Sequence, residues 1–102
     1  DREKMASLII SDYYEIIKEL ITAVLLSDGY KSLSHTDLIE YLKKKYPEFD
    51  EGEISILDNL RKLRNKVAYE GFFIESSYLL RNESMFKLII EKLNMLLCRK
   101  LE

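Results

Sequence analysis

Apolar residues recur at three- and four-residue steps in four stretches of this chain, with short polar breaks between them. The first stretch, from about Lys4 to Ser27, carries Ile9, Tyr13, Ile16, Ile17, Leu20, Ile21 and Val24 on one stripe, with Glu15, Lys18 and Glu19 opposite. Asp28-Gly29 ends it, and Gly29 suits a left-handed cap. A second helix is expected after Ser34, where Ser34-His35-Thr36-Asp37 is a variant capping box ahead of Leu38, Ile39 and Leu42, and Pro47 closes it. The third runs from about Glu51 to Tyr69, with Asp50 as cap, Glu53 three residues on, and Ile56, Leu57, Leu60, Leu63 and Val67 as its apolar face. Gly71 stands just beyond it.

From Phe72 to Arg81 the chain is apolar without helical period, which predicts a connector with one short turn, packed by Phe72, Phe73, Ile74 and Tyr78. The last helix is expected from about Glu83 to Arg99 behind an Asn82 cap, burying Phe86, Ile89, Ile90, Leu93, Leu96 and Leu97. Four such helices bury their stripes most simply as an all-α, antiparallel up-and-down four-helix bundle, one domain spanning residues 1–102. The long first and last helices keep apolar surface beyond what a bundle of this size covers, which predicts a homodimer through one helical face.

One charge interrupts the third stripe. With Leu60 at its centre and about 100° per residue, Arg64 lies only about 40° away, while Arg61, Lys62, Asn65 and Lys66 fall on the flanks or the back. A guanidinium there keeps its proton, so it requires a carboxylate, a carbonyl, an external anion or a partner chain, or it reaches past its neighbours to water. An internal salt bridge and an external anion both satisfy that requirement. Arg61, Lys62, Arg64 and Lys66 also offset the negative end of the helix dipole. With Asn65 and Tyr69 they combine cations, a hydrogen-bonding amide and an aromatic ring, a composition suited to single-stranded RNA or a nucleotide.

Composition narrows the field. The formal net charge of −2 lacks the basic excess of a duplex-DNA binder, so nucleic-acid contact requires a local patch. The single cysteine, Cys98, makes no intrachain disulfide and reads as a core filler. No apolar run is long enough to span a bilayer and no signal-peptide pattern opens the chain, which predicts a soluble cytoplasmic protein.

Other chemistry finds little footing. The lone histidine, His35, reads as a helix-start residue, and Ser34, His35 and Asp37 crowd one turn rather than converge as a triad. One histidine and one cysteine far apart make no zinc site, and the chain has no calcium loop or phosphate-cradling glycine loop, so no metal or cofactor is expected. Glu48, Asp50, Glu51 and Glu53 cluster at a helix start, where the dipole favours them. Tyr13 is placed on the core stripe of the first helix, with Tyr14 about 100° round from it.

The helix order, the segment Asp12-Tyr13-Tyr14-Glu15, the Ser34-His35 start and above all Arg64-Asn65-Lys66-Val67-Ala68-Tyr69 resemble the HEPN family of small prokaryotic helical bundles. The likeness spans most of the chain. In that family an Arg, usually followed by a polar residue, precedes a His by four to six positions; here Tyr69 stands at the histidine position. The resemblance implies a homodimer whose motif residues line a shared cleft, and a minimal nucleotidyltransferase as partner in a toxin-antitoxin-like pair. Carried over by position, Arg64 would stabilise phosphate charge, Asn65 orient the site and Tyr69 stand in place of the histidine; Arg61, Lys62 and Lys66, the neighbouring phosphate-attracting cations, are the candidate nucleic-acid contacts beside them. Active members are metal-independent ribonucleases. A phenol with pKa ~10 against ~6.5 for imidazole is a poor base, so RNA or nucleotide binding is the leading expectation. Metal-free RNA cleavage and a non-catalytic dimerisation or interaction module are the alternatives. Arg64 and Tyr69, five residues apart, point about 140° from each other on a regular helix, so a shared site needs an irregular helix end or a second subunit.

Overall fold

The computed structural model describes residues 1–31 and 34–102. Among them are four helices and no strand: α1 (Arg2–Ser27), α2 (His35–Lys45), α3 (Glu51–Glu70) and α4 (Ser76–Leu101). The all-α, four-helix expectation stands. The caps explain most boundaries. The Asp1 carboxylate accepts from the Glu3 and Lys4 amides at 2.9 and 3.0 Å, which starts α1 two residues earlier than the apolar pattern does. The Ser34 hydroxyl caps α2 through the Asp37 amide and His35 is the first residue of that helix, as expected, while the side chains of His35 and Thr36 lie outside the described residues. Asp50 and Glu53 close a full capping box at α3. Gly71 ends α3 at φ +68°, and the Gly71 and Phe72 amides both donate back to the Lys66 carbonyl.

The segment 72–81 departs from expectation. The connector is only residues 71–75, and α4 begins at Ser76 rather than at Glu83. Asn82 is therefore inside the helix, where its side-chain amide donates to the Tyr78 carbonyl at 2.9 Å instead of capping. No side chain caps α4; its first turn is held by packing, with Leu79 buried and the Tyr78 ring 6.3 Å from that of Phe86. The Ile74 amide, buried ahead of that turn, donates to the Ser7 hydroxyl at 2.7 Å and so anchors the connector to α1.

Cross-helix contacts set the topology. Ser7 meets Ile74, Tyr13 meets Glu83 and Phe86, and Asp28 meets Lys100, so α1 and α4 run in the same direction. Glu15 meets Arg64; the start of α3 meets α4 through Glu53–Lys92 and its end leads to Ile74 beside Ser7, so α3 packs on α1 and runs opposite to both. The arrangement is three long helices with the short α2 packed on α1 and α3, in place of the expected antiparallel alternation, which would set α1 against α4 head to tail. The reason is length. The 11 residues of α2 span less than half the length of the 26-residue α1, so α2 closes one end of the bundle and α4 takes the position beside α1.

The core gathers Ile10, Ile17, Ile21 and Leu25 of α1, Leu42 of α2, Leu57 and Leu60 of α3, and Phe86, Ile89 and Leu93 of α4. Within α1 the buried line runs Ala6, Ile10, Tyr14, Ile17, Ile21 rather than through Tyr13 and Ile16. Tyr14 is buried, Tyr13 only half so, and Ile16 exposed. Because α1 is flanked on two sides, its stripe is wide: Tyr13 turns to α4, donating to Glu83 at 2.6 Å, and Tyr14 turns to α3. Cys98 is exposed, a correction to its reading as core. It follows Leu97 on a helix whose buried line passes through Leu93 and Leu96, and is turned out of that line.

Candidate functional site

The six basic and polar candidates on α3 divide into two groups because the helix stays regular to Glu70. Arg61 and Arg64 turn toward α1. Arg64 donates to Glu15 at 2.8 Å, and its guanidinium carbon stands 5.9 Å from the Tyr14 ring centre. Glu15 is also held by Lys18 at 2.8 Å, so it is drawn to the bundle edge rather than lying opposite the stripe as its periodicity predicts. Arg61 pairs with Asp58 at 2.9 Å one turn back, with its side chain mostly covered. Burial drives the Tyr14 phenol up to about 12; the nearby charges of Arg61 and Arg64 pull the other way, and Glu15 adds to the rise. The inward cation demanded by the sequence is thus answered by a carboxylate of the same chain.

The second group faces outward. Advancing about 100° per residue, Lys62, Asn65, Lys66 and Tyr69 fall on one strip about 100° wide, opposite Leu60. Tyr69 is 78% exposed. Lys66 Nζ stands 5.5 Å over the Phe72 ring, so the strip continues across the Gly71 turn onto Phe72 and Phe73, both half exposed. Lys62 is paired with Asp58 at 3.1 Å, an exposed contact of small energetic value. Arg64 and Tyr69 leave the helix on different faces, so within one chain they share no site, and an irregular helix end does not bring them together.

Two polar clusters escaped sequence reasoning. At the end of α1, Asp28 accepts from Tyr46 at 2.5 Å, from Tyr41 and from Lys100. Burial alone would raise the Asp28 carboxyl, but the hydrogen bonds from Lys100, Tyr41 and Tyr46 with the charge of Lys100 outweigh it and hold it at about 2. Burial and the Asp28 carboxylate raise Tyr41 and Tyr46 in turn. The other cluster centres on Glu53, 3% exposed, which accepts from the Asp50 amide at 3.0 Å and from Lys92 at 2.8 Å. Lys92 also donates to the Glu48 carbonyl at 2.6 Å and stands 4.7 Å over the Phe49 ring. The acidic cluster around the start of α3 is thus a structural joint to α4 as well as a dipole effect. Only the Asp50–Glu53 spacing signalled it; the lysine lies 39 positions away.

A cavity of about 760 Å³ between α2 and α3 is lined by Ile39, Lys43, Phe49, Ile54 and Asp58 among others, and none of the six candidates borders it. Among the described residues, no group of His, Cys, Asp and Glu is placed to hold a metal ion, and no helix is long and apolar enough to cross a membrane. No family model, curated protein or solved structure matches this chain.

Proposed function

We propose that this chain is a HEPN-like protein that binds single-stranded RNA or a nucleotide through the outward strip of α3. Lys62 and Lys66 attract phosphate, Asn65 offers hydrogen bonds, and Tyr69 with Phe72 offers ring faces for bases. The observation that carries the reading is the exposed Tyr69 beside Lys66, itself over the Phe72 ring: cation and aromatic surface coincide outside the core. Arg64 enters as a positioning residue, holding α3 against α1 through Glu15. The homodimer, the nucleotidyltransferase partner and the toxin-antitoxin-like setting come with the family resemblance and belong to this proposal.

Titration of a labelled single-stranded RNA against the protein at rising salt tests it. Affinity is expected to fall with salt, with a slope of about −0.7 per phosphate neutralised, and Tyr69→Ala and Lys66→Ala are each expected to weaken binding about tenfold. Equal affinity in all three proteins would overturn the assignment. A parallel incubation in chelator reports cleavage, the chemistry of active family members.

A second reading has its own observation: the internal Arg64–Glu15 pair removes any need for an external anion at the seam. The chain is then a helical interaction module whose exposed Tyr69, Phe72 and Phe73 dock on protein. Sedimentation of Phe73→Ser with an intact RNA-binding phenotype as control separates the two.

A further inference from the structure

At the α1–α2 end of the bundle, a cavity of about 420 Å³ is lined by Tyr30, Lys31, Tyr41, Lys44 and Lys45. Three lysines border it and no carboxylate lines it. The helix dipole explains part of this, since Lys43, Lys44 and Lys45 occupy the last turn of α2. It explains neither Lys31, which comes from outside that helix, nor the two aromatic rings. Those rings are held in place. Tyr41 donates its hydroxyl to Asp28, and Tyr30 packs edge-on against it with ring centres 5.6 Å apart. The Tyr30 amide donates to the Leu25 carbonyl at 3.2 Å, fixing its backbone, yet the side chain is 52% exposed. Lys44 has one acidic neighbour, Glu40 at 3.8 Å, and both are solvent-exposed, so the pair yields readily to a stronger anion. Asp28, the other nearby carboxylate, already accepts from Tyr41, Tyr46 and Lys100.

We propose that this cavity binds a nucleotide, with the base against the exposed Tyr30 ring and the phosphate among Lys31, Lys44 and Lys45. An aromatic wall beside three lysines, one of them weakly paired, in a volume within the small-ligand range of roughly 300–1,000 Å³, is the chemistry that recognises an aromatic group carrying a phosphate. The site is separate from the α3 strip. Tyr30 and Lys31 follow the last residue of α1, Ser27, whereas Ser7, near the start of α1, meets the connector after α3.

Chemical-shift titration of the isotope-labelled protein with 5′-AMP, adenosine and inorganic phosphate tests the assignment. AMP is expected to shift the resonances of Tyr30, Lys31, Tyr41, Lys44 and Lys45, and to bind at least about tenfold tighter than adenosine or phosphate alone. The double variant Lys44→Glu, Lys45→Glu and the single variant Tyr30→Ala are each expected to lose about tenfold or more, while the charge-conserving double variant Lys44→Arg, Lys45→Arg keeps the affinity. All these positions are exposed, so the variants retain the fold. Absence of shifts at millimolar AMP, or phosphate binding as tightly as AMP, would overturn the proposal. AMP-induced shifts confined to Asn65, Lys66 and Tyr69 would do the same by placing the ligand on α3.

Discussion

At the residue scale, Arg64 links helix register to stability. Its position about 40° from Leu60 forces the guanidinium toward α1, and Glu15 answers it in a three-member set with Lys18. Both partners remain partly open to solvent, so a double-mutant cycle on Arg64→Met and Glu15→Gln is expected to give a coupling of about 0.5–1 kcal/mol by urea denaturation. Coupling near zero would detach the pair from stability. Asp28 is more enclosed. Its folded-state pKa, held at about 2, is below the usual carboxylate value of ~4, so its contribution is present above pH ~4 and is lost as pH falls toward 2. Tyr13, raised to about 12 by burial and by Glu83, and Tyr14, raised likewise by burial, act in the opposite range: their contribution is complete below pH ~10 and is lost as pH rises through 12. Thermal melting is expected to hold steady between about pH 5 and 9 and to fall on both sides, with Asp28→Asn flattening the acid limb. An unchanged acid limb in that variant would assign the loss to other carboxylates.

At the element scale, the helices whose ends carry their own chemistry were legible. Asp50 with Glu53, Ser34 with Asp37, and Gly71 mark their termini because capping is local, and the structure keeps all three. The start of α4 was not legible, since nothing caps it: its first turn is held by Leu79 and Tyr78 packing on partners distant in sequence. Asn82 looked like a cap only because the preceding segment lacks period. The same limit applies to α1, where two neighbouring apolar lines compete and the flanking helices decide between Tyr13 and Tyr14. Gly71 is a clean test of local control. A Cβ there meets nothing within 4 Å, so Gly71→Ala is expected to cost about 1 kcal/mol through its φ of +68° alone. A change below a few tenths in the urea midpoint analysis would show that α3 is terminated by packing instead.

At the scale of the whole molecule, the parallel pairing of α1 and α4 places the end of α3 beside the start of α1 and leaves α2 to close the other end. Of the motif Arg64-Asn65-x-x-x-Tyr69, the sequence could place each residue on its helix face but not say which anion Arg64 meets, because Glu15 is 49 positions away. The division that results, inward arginine and outward Lys66 with Tyr69, gives each face a separate task. Arg64→Met should therefore lower stability and spare binding, and Lys66→Ala should do the reverse.

The most direct measurement is fluorescence anisotropy of one labelled single-stranded RNA against wild type, Arg64→Met and the double variant Lys66→Ala, Tyr69→Ala at fixed salt. Wild-type affinity is expected in Arg64→Met and a loss of about tenfold or more in the double variant. Binding abolished by Arg64→Met and untouched by the double variant would contradict the proposed α3 site.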